Sequence, residues 1–240
     1  MKKVIVIGDI HGRTTWKQII EHEHDADLIV FMGDYFDSFI AEYTTDHQIS
    51  NFQEICQIKR DMPGRIALLY GNHDHHYLPG ITGRCSGYQR GRAIDIGEMV
   101  RDAVKEKLVQ MCVTYENFIM THAGITDVWF KHTFNKSLST SSPESISSYL
   151  NELLLYRPRE FSFSPGMYND SYGDEVEQTP IWVRPHSLRK NMPNGMRQIV
   201  GHTEVESIVI ESDVILVDSL KYGNYLSIDG TTLVTKNILC

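Results

Sequence analysis

Five short apolar runs, at residues 4–7, 28–32, 66–70, 118–120 and 198–200, each end in a turn that carries polar residues. These turns read Gly8-Asp9-Ile10-His11-Gly12, Gly33-Asp34, Gly71-Asn72-His73-Asp74, Thr121-His122-Ala123-Gly124 and Gly201-His202-Thr203. Runs of this length, rich in β-branched residues and closed by a turn signal, are the pattern of buried strands. Between the first three, Trp16, Ile19 and Ile20, then Phe52, Ile55 and Ile58, recur at helical spacing. The front third therefore reads as βαβαβ with a parallel sheet. Ligands of such sheets gather at the carboxyl ends of the strands, where all five polar turns fall. A glycine beside each polar residue lets the backbone turn sharply and approach a cation that a Cβ would hold off.

The turns present Asp9, His11, Asp34, Asn72, His122 and His202. Carboxylate, imidazole and amide oxygen without thiolate suit borderline-to-hard divalent ions such as Mn, Fe or Zn. Three histidines and two aspartates exceed what one tetrahedral ion needs. Two ions bridged by one carboxylate would use all six groups and polarise a shared water into a nucleophile at neutral pH. Any one of these turns alone reads more simply as a loop, and a lone histidine as a packing residue. Their order at five successive strand ends gives the set its weight.

The 240-residue chain, 41% hydrophobic and 22% charged, has ordinary globular composition. It reads as a single domain over residues 1–240, with insertions near the site at about 77–97 and 133–178. Strand candidates at 205–210, 213–217, 225–228 and 231–235, with Asp-Gly and Gly-Asn turns, predict a closing antiparallel region. No apolar run approaches the roughly 20 residues of a membrane span, and residues 2–7 enter a strand directly, so a cytoplasmic protein is expected. Cys56, Cys85, Cys112 and Cys240 form no CxxC pair and are expected to be reduced. A net charge of -8 argues against a generic nucleic-acid surface, but not against a small phosphorylated substrate.

In order, the motifs GDIHG, Gly33-Asp34-Tyr35-Phe36-Asp37, GNHD, HAG and GHT resemble the signature of the calcineurin-like metallophosphoesterases. Within that superfamily the pattern is similar to phosphoprotein phosphatases, their bacterial and phage relatives, and symmetrical dinucleoside tetraphosphatases. The resemblance implies an α/β fold, a four-layer αββα sandwich with a dinuclear metal site at the strand ends. It implies one ion on Asp9, His11 and Asp34, with Asp34 bridging to a second on Asn72, His122 and His202, and manganese as the metal, with iron or zinc as alternatives. His73 would protonate the leaving alkoxide, oriented by Asp37.

The chain departs from the pattern at Ser38, where phosphoprotein phosphatases continue GDxVDRG with a phosphate-gripping arginine; a serine cannot offer the bidentate fork. Arg184, in Trp182-Val183-Arg184-Pro185, resembles a second phosphate arginine of relatives. Arg13 is a further candidate, and Arg84, Arg90 and Arg92 lie in the first insertion. Phe161, Phe163, Tyr168 and Tyr172 could form an aromatic wall or a small satellite core. The expected function is metal-dependent hydrolysis of phosphate esters by a phosphomonoesterase or a protein serine/threonine phosphatase-like enzyme. The alternatives are a dinucleoside polyphosphate hydrolase and a metal-binding scaffold without catalysis.

Overall fold

Along the first strand Val4 and Val6 point one way and Ile5 and Ile7 the other, and all four are fully buried. A strand apolar on both faces must be covered on both, and this requirement sets the layering. The computed structural model describes residues 2–81, 84–164, 166–167, 170–193 and 195–239; Tyr168, Cys240 and small parts of both expected insertions lie outside these.

The strands are β1 (Lys3–Ile7), β2 (Leu28–Phe31), β3 (Ile66–Leu69), β4 (Val109–Gln110), β5 (Val113–Tyr115), β6 (Phe118–Met120), β7 (Arg197–Val200), β8 (Val209–Ile210), β9 (Val214–Leu216), β10 (Asn224–Asp229) and β11 (Thr232–Asn237). They form a six-stranded sheet, β11-β10-β1-β2-β3-β4, and a five-stranded sheet, β5-β6-β7-β9-β8. As expected, β1, β2 and β3 are parallel, with Val4 opposite Leu28 and Ile29 opposite Ile66. The helices are α1 (Trp16–His22), α2 (Thr45–Asp61), α3 (Asn72–His75), α4 (Ala93–Lys105), α5 (Asp127–Phe134), α6 (Pro143–Tyr156) and α7 (Pro185–Lys190). Thr44, Thr126 and Ser142 cap α2, α5 and α6 by accepting the N–H of His47, Trp129 and Ser145.

Val4, Val6, Val30, Met32 and Leu69 of the first sheet meet Phe118, Met120, Ile199 and Ile215 of the second in a core between the sheets. On the far side of the first sheet Ile5, Ile7 and Phe31 pack against Ile19, Phe52, Ile55 and Val100 of α1, α2 and α4. On the far side of the second, Val200, Val214 and Leu216 pack against Val183 and Leu188, the latter in α7, while α6 packs against β5 and β6. The result is the expected four-layer αββα sandwich.

Three details differ from the sequence reading. The closing strands do not make one antiparallel region: β10 and β11 extend the first sheet beside β1, whereas β8 and β9 join the second. There β9 runs parallel to β7. The cause is burial, since Tyr225 faces the helix-side core while Leu226 and Ile228 complete the inter-sheet core. Residues 205–210 are strand only at Val209–Ile210, because the Glu206 carbonyl accepts from Ser219 Oγ and Asn224 Nδ2 rather than from a neighbouring strand. The edge strands β4 and β5, two and three residues long, are too short for a periodic signal. Of the expected insertions, 133–178 contributes Ile146, Leu150, Leu153 and Leu154 of α6 to the helix-side core, so much of it is framework. Among the described residues no helix is long and apolar enough to cross a membrane.

Candidate metal centre and catalytic cleft

The turn after β1 carries Asp9 and His11, that after β2 Asp34 and Asp37, α3 carries Asn72 and His73, and the turns after β6 and β7 carry His122 and His202. Asp9, His11, Arg13, Asp34, Asn72, His73, Arg184 and His202 line one cleft of about 720 Å³. His122 lies fully buried at its floor, and Asp37 is fully buried behind His73. The eight residues expected to carry chemistry are thus brought together.

The backbone is bent to place them. Of the seven non-glycine residues with positive φ among those described, four are His11 (42°), Asp34 (51°), Asp37 (65°) and His202 (61°). This left-handed region costs an ordinary side chain of order 1–3 kcal/mol and persists where the surroundings enforce it. Asp74 is one enforcer: its Oδ2 accepts the N–H of Asp34 (3.0 Å) and Gly71 (2.9 Å), and its Oδ1 that of Tyr35 (2.9 Å). A Cβ at Gly71 would collide with Asp34 Oδ1, and one at Gly201 with Asp9 Oδ1, so both turns require glycine.

The side chains fit metal ions. His11 Nδ1–H donates to Phe36 O (2.7 Å) and His122 Nδ1–H to Met32 O (2.8 Å), which leaves each Nε2 as the nitrogen turned toward Asp34. His11 Nε2 lies 3.8 Å from Asp34 Oδ2; His122 Nε2 lies 3.3 Å from the same oxygen and 2.9 Å from Asn72 Oδ1. His202 is reversed, with Nε2–H on Trp182 O (3.1 Å) and Nδ1 3.0 Å from Asn72 Oδ1. Asn72 is held with its oxygen inward because Nδ2 donates to Cys85 Sγ (3.2 Å). Imidazole lone pairs, carboxylate oxygens and an amide oxygen therefore face one another with few donors among them, which costs free energy unless a cation lies between. Donor atoms of Asp9, Asp34 and His122 lie within 4.8 Å of one another, as do those of His11, Asp34 and His73.

Electrostatics agree. Burial lowers the His11 pKa to about 4, and burial with the Arg184 charge holds His202 well below the ordinary histidine range. Both keep a lone pair. Burial would also lower His122, but Asp34 and Asp9 raise it to about 10, so a proton there supplies positive charge that a cation would otherwise bring.

His73 differs from the others. Its Nδ1–H donates to Asp37 Oδ2 (2.8 Å), so Nε2 is the nitrogen left for the cleft. Burial would lower its pKa, but Asp34 and Asp37 raise it above the ordinary value. Arg184 donates from Nη1 to His202 O (3.1 Å) and Thr203 Oγ1 (3.2 Å), which aims the guanidinium along the cleft. Arg13 also lines the cleft, tethered at Ile10 O (3.3 Å). Ser38 does not replace the missing arginine, because its Oγ accepts the Ile40 N–H. Arg84 does reach the cleft and lies over the Tyr88 ring at 4.4 Å, whereas Arg92 pairs with Asp46 and Asp95 and neither it nor Arg90 lines the cleft. Phe161 is a core residue against Trp129, Phe163 meets Trp182 edge-on (5.1 Å) on the cleft wall, and Tyr172 is exposed. Cys85, Trp182, Glu204, Asp218 and Lys221 also line the cleft. Of these, Trp182 belongs to the segment already singled out with Arg184, and Asp218 carried a signal of its own, an acid directly after the apolar run 214–217.

Comparison with known proteins agrees with this architecture. A protein of Encephalitozoon cuniculi named as a probable serine/threonine-protein phosphatase is 25% identical over 163 residues, 66% of this chain. The chain spans only 34% of that relative's length. A cold-active protein-tyrosine phosphatase of a psychrophilic Shewanella species superposes with a TM-score of 0.63 at 17% identity, over 99% of this chain and 78% of that one. A protein serine/threonine phosphatase of Saccharomyces cerevisiae does so with 0.54 at 13% identity, over 98% and 79%. The family model described as calcineurin-like phosphoesterase matches residues 2–208, and the chain belongs to that family.

Proposed function

We propose that this chain is a metal-dependent phosphomonoesterase acting on alkyl phosphates of the phosphoserine or phosphothreonine kind. The observation that carries the reading is His73, held by Asp37 at 2.8 Å beside the acceptor cluster. A positioned imidazolium is needed where the leaving group is an alkoxide, and much less where it is a phosphate. Asp9, His11 and Asp34 would hold one divalent cation, and Asp34, Asn72, His122 and His202 a second; the oxygen and nitrogen donors suit manganese. Bound there, the ions would offset charge on the phosphoryl oxygens and acidify a water. Arg184 and Arg13 would orient the phosphoryl group through charge-assisted hydrogen bonds. As the P–O bond to the leaving group breaks, His73 Nε2 gives its proton to the departing oxygen while Asp37 steadies the ring.

The named phosphatase relative supports this substrate class. A second reading, hydrolysis of a dinucleoside polyphosphate, is favoured by Phe163 and Trp182 on the cleft wall, which offer aromatic faces to a base. We also read residues 1–240 as one domain, supported by a core shared between β1 and α6, and as cytoplasmic, which suits the free Cys56, Cys85 and Cys112. The test is turnover of a phosphoserine peptide, p-nitrophenyl phosphate and diadenosine tetraphosphate by metal-stripped protein with and without manganese, for wild type and His73→Asn. Manganese-dependent hydrolysis of the peptide, lost in His73→Asn while p-nitrophenyl phosphate is largely spared, is the expected result. Preference for the tetraphosphate with indifference to His73→Asn would favour the nucleotide reading. Silence on all three substrates by folded, manganese-loaded protein would favour a scaffold.

A further inference from the structure

Asp37 is fully buried and its carboxylate is saturated by donors from one short segment. Oδ2 receives His73 Nδ1–H (2.8 Å) and faces His76 Nε2 at 2.7 Å. Oδ1 receives the Tyr77 hydroxyl and, at 3.5 Å, Gln89 Nε2. Proton positions follow from the outer partners. His76 Nδ1 accepts the Cys85 N–H (2.9 Å), so Nε2 carries a proton and meets Asp37 as a close polar contact rather than an aligned hydrogen bond. Tyr77 Oη accepts the Gln89 N–H (2.9 Å), so its own proton is committed to Asp37. Both rings are clamped by Tyr88, which stacks on Tyr77 at 4.9 Å and meets His76 edge-on at 4.9 Å. Gln89 Nε2 also donates to Gln48 Oε1 (2.8 Å), which accepts the Ser38 N–H (3.2 Å) and ties the network to the turn after β2.

We propose that His76 and Tyr77 are positioning residues for the general acid, fixing the Asp37 carboxylate in one orientation so that it holds the His73 ring with Nε2 in the cleft. The inference rests on the reading of His73 as general acid. A carboxylate with a single donor can rotate and carry its partner with it; one held on both oxygens cannot. Asp37, His73 and His76 also lie close enough to suggest a third cation site. The His73 contact is closed by its Nδ1–H, Nε2 of His76 is no free lone pair because its Nδ1 accepts the Cys85 N–H, and Oδ1 is occupied by Tyr77, so the cluster is not read as a cation site.

The test compares turnover of a phosphoserine peptide with that of p-nitrophenyl phosphate, whose leaving group needs little protonation. It uses manganese-loaded wild type, His73→Asn, His76→Leu, His76→Gln and Tyr77→Phe, with melting temperatures as a check on folding. His76→Leu and Tyr77→Phe should each lower kcat on the peptide by about 10-fold or more with KM little changed, the scale of an outer hydrogen-bond partner. On p-nitrophenyl phosphate the loss should stay under about 3-fold. His76→Gln, which keeps a donor at the ε position, should recover most of the peptide activity. Combining Tyr77→Phe with His73→Asn should add nothing further, because the residue acts through His73. Equal losses on both substrates, or no loss in folded variants, would overturn the proposal while leaving the function intact. If His76→Leu fails to fold, Tyr77→Phe decides by the same ratio. Absence of manganese-dependent turnover in wild type, or of a leaving-group split in His73→Asn, would instead remove the general-acid reading and this inference with it.

Discussion

Two polar clusters share the floor of the cleft and are built on opposite plans. Around Asn72 Oδ1 two imidazole nitrogens approach at 2.9 and 3.0 Å: His202 Nδ1 turns a lone pair inward, and His122 Nε2 turns inward a position that either a proton or a cation can fill. Around Asp37 the neighbours are donors: His73, His76, Tyr77 and Gln89. The first arrangement lacks positive charge, which the protein supplies only in part by protonating His122. In the second, the carboxylate finds hydrogen-bond donors on both oxygens within the protein. On the proposed function, the contrast separates a part of the site that would hold a removable ion from a part that would hold a proton in place, although both use histidine and aspartate.

The largest effect expected from breaking the contrast is at the acceptor cluster. Asp34→Asn should reduce turnover on the order of 10⁴-fold or more, the scale on which groups that act as a unit fail. It should also abolish the stabilisation that manganese gives wild type, about 2.7 kcal/mol or roughly 5–10 °C in Tm at ~100-fold excess over Kd. Next is the donor cluster, where His73→Asn should cost ~10²–10³-fold on an alkyl phosphate while metal-induced stabilisation survives, as thermal unfolding with and without manganese would reveal. A smaller effect belongs to the scaffold beneath both. Asp74→Asn would point an amide N–H₂ at the N–H of Gly71 and Asp34 and should cost about 1–3 kcal/mol in a urea titration.

The smallest lies far from the cleft, at Glu23, a buried carboxylate paired with Lys3 and Lys236 that should ignore metal entirely. Burial would raise its pKa, but hydrogen bonds from Lys236, Lys3 and Tyr225 lower it to about 2 from an ordinary 4.5. The folded pKa lies below the unfolded one, so the stabilisation is full above the unfolded value and lost as pH falls toward the folded one. Urea midpoints from roughly pH 6 to pH 3 should show wild type losing about 1–2 kcal/mol that Glu23→Gln never had, the figure discounted for the partly solvated lysines.

Much of this was legible in the sequence, for identifiable reasons. Strands β1, β2, β3, β6 and β7 are apolar runs closed by glycine or a polar turn, and Asp9, His11, Asp34, Asn72, His122 and His202 converge because each follows such a run. The pairing of the closing strands was not legible, because which sheet each strand joins is decided by burial against the opposite sheet, which no local pattern shows. Nor were His76, Tyr77 and Cys85 readable as partners of Asp37 and Asn72. They act only once the segment from residue 84 to 89 folds back over α3, and no periodicity marks that return.

The claim on which the rest depends is that the acceptor cluster is a two-ion site. Metal analysis of purified protein equilibrated with manganese, alongside Asp34→Asn, tests it most directly. Two ions per chain in wild type and fewer in the variant are predicted. A folded wild-type protein that retains no manganese, or binds equally with and without Asp34, would contradict it.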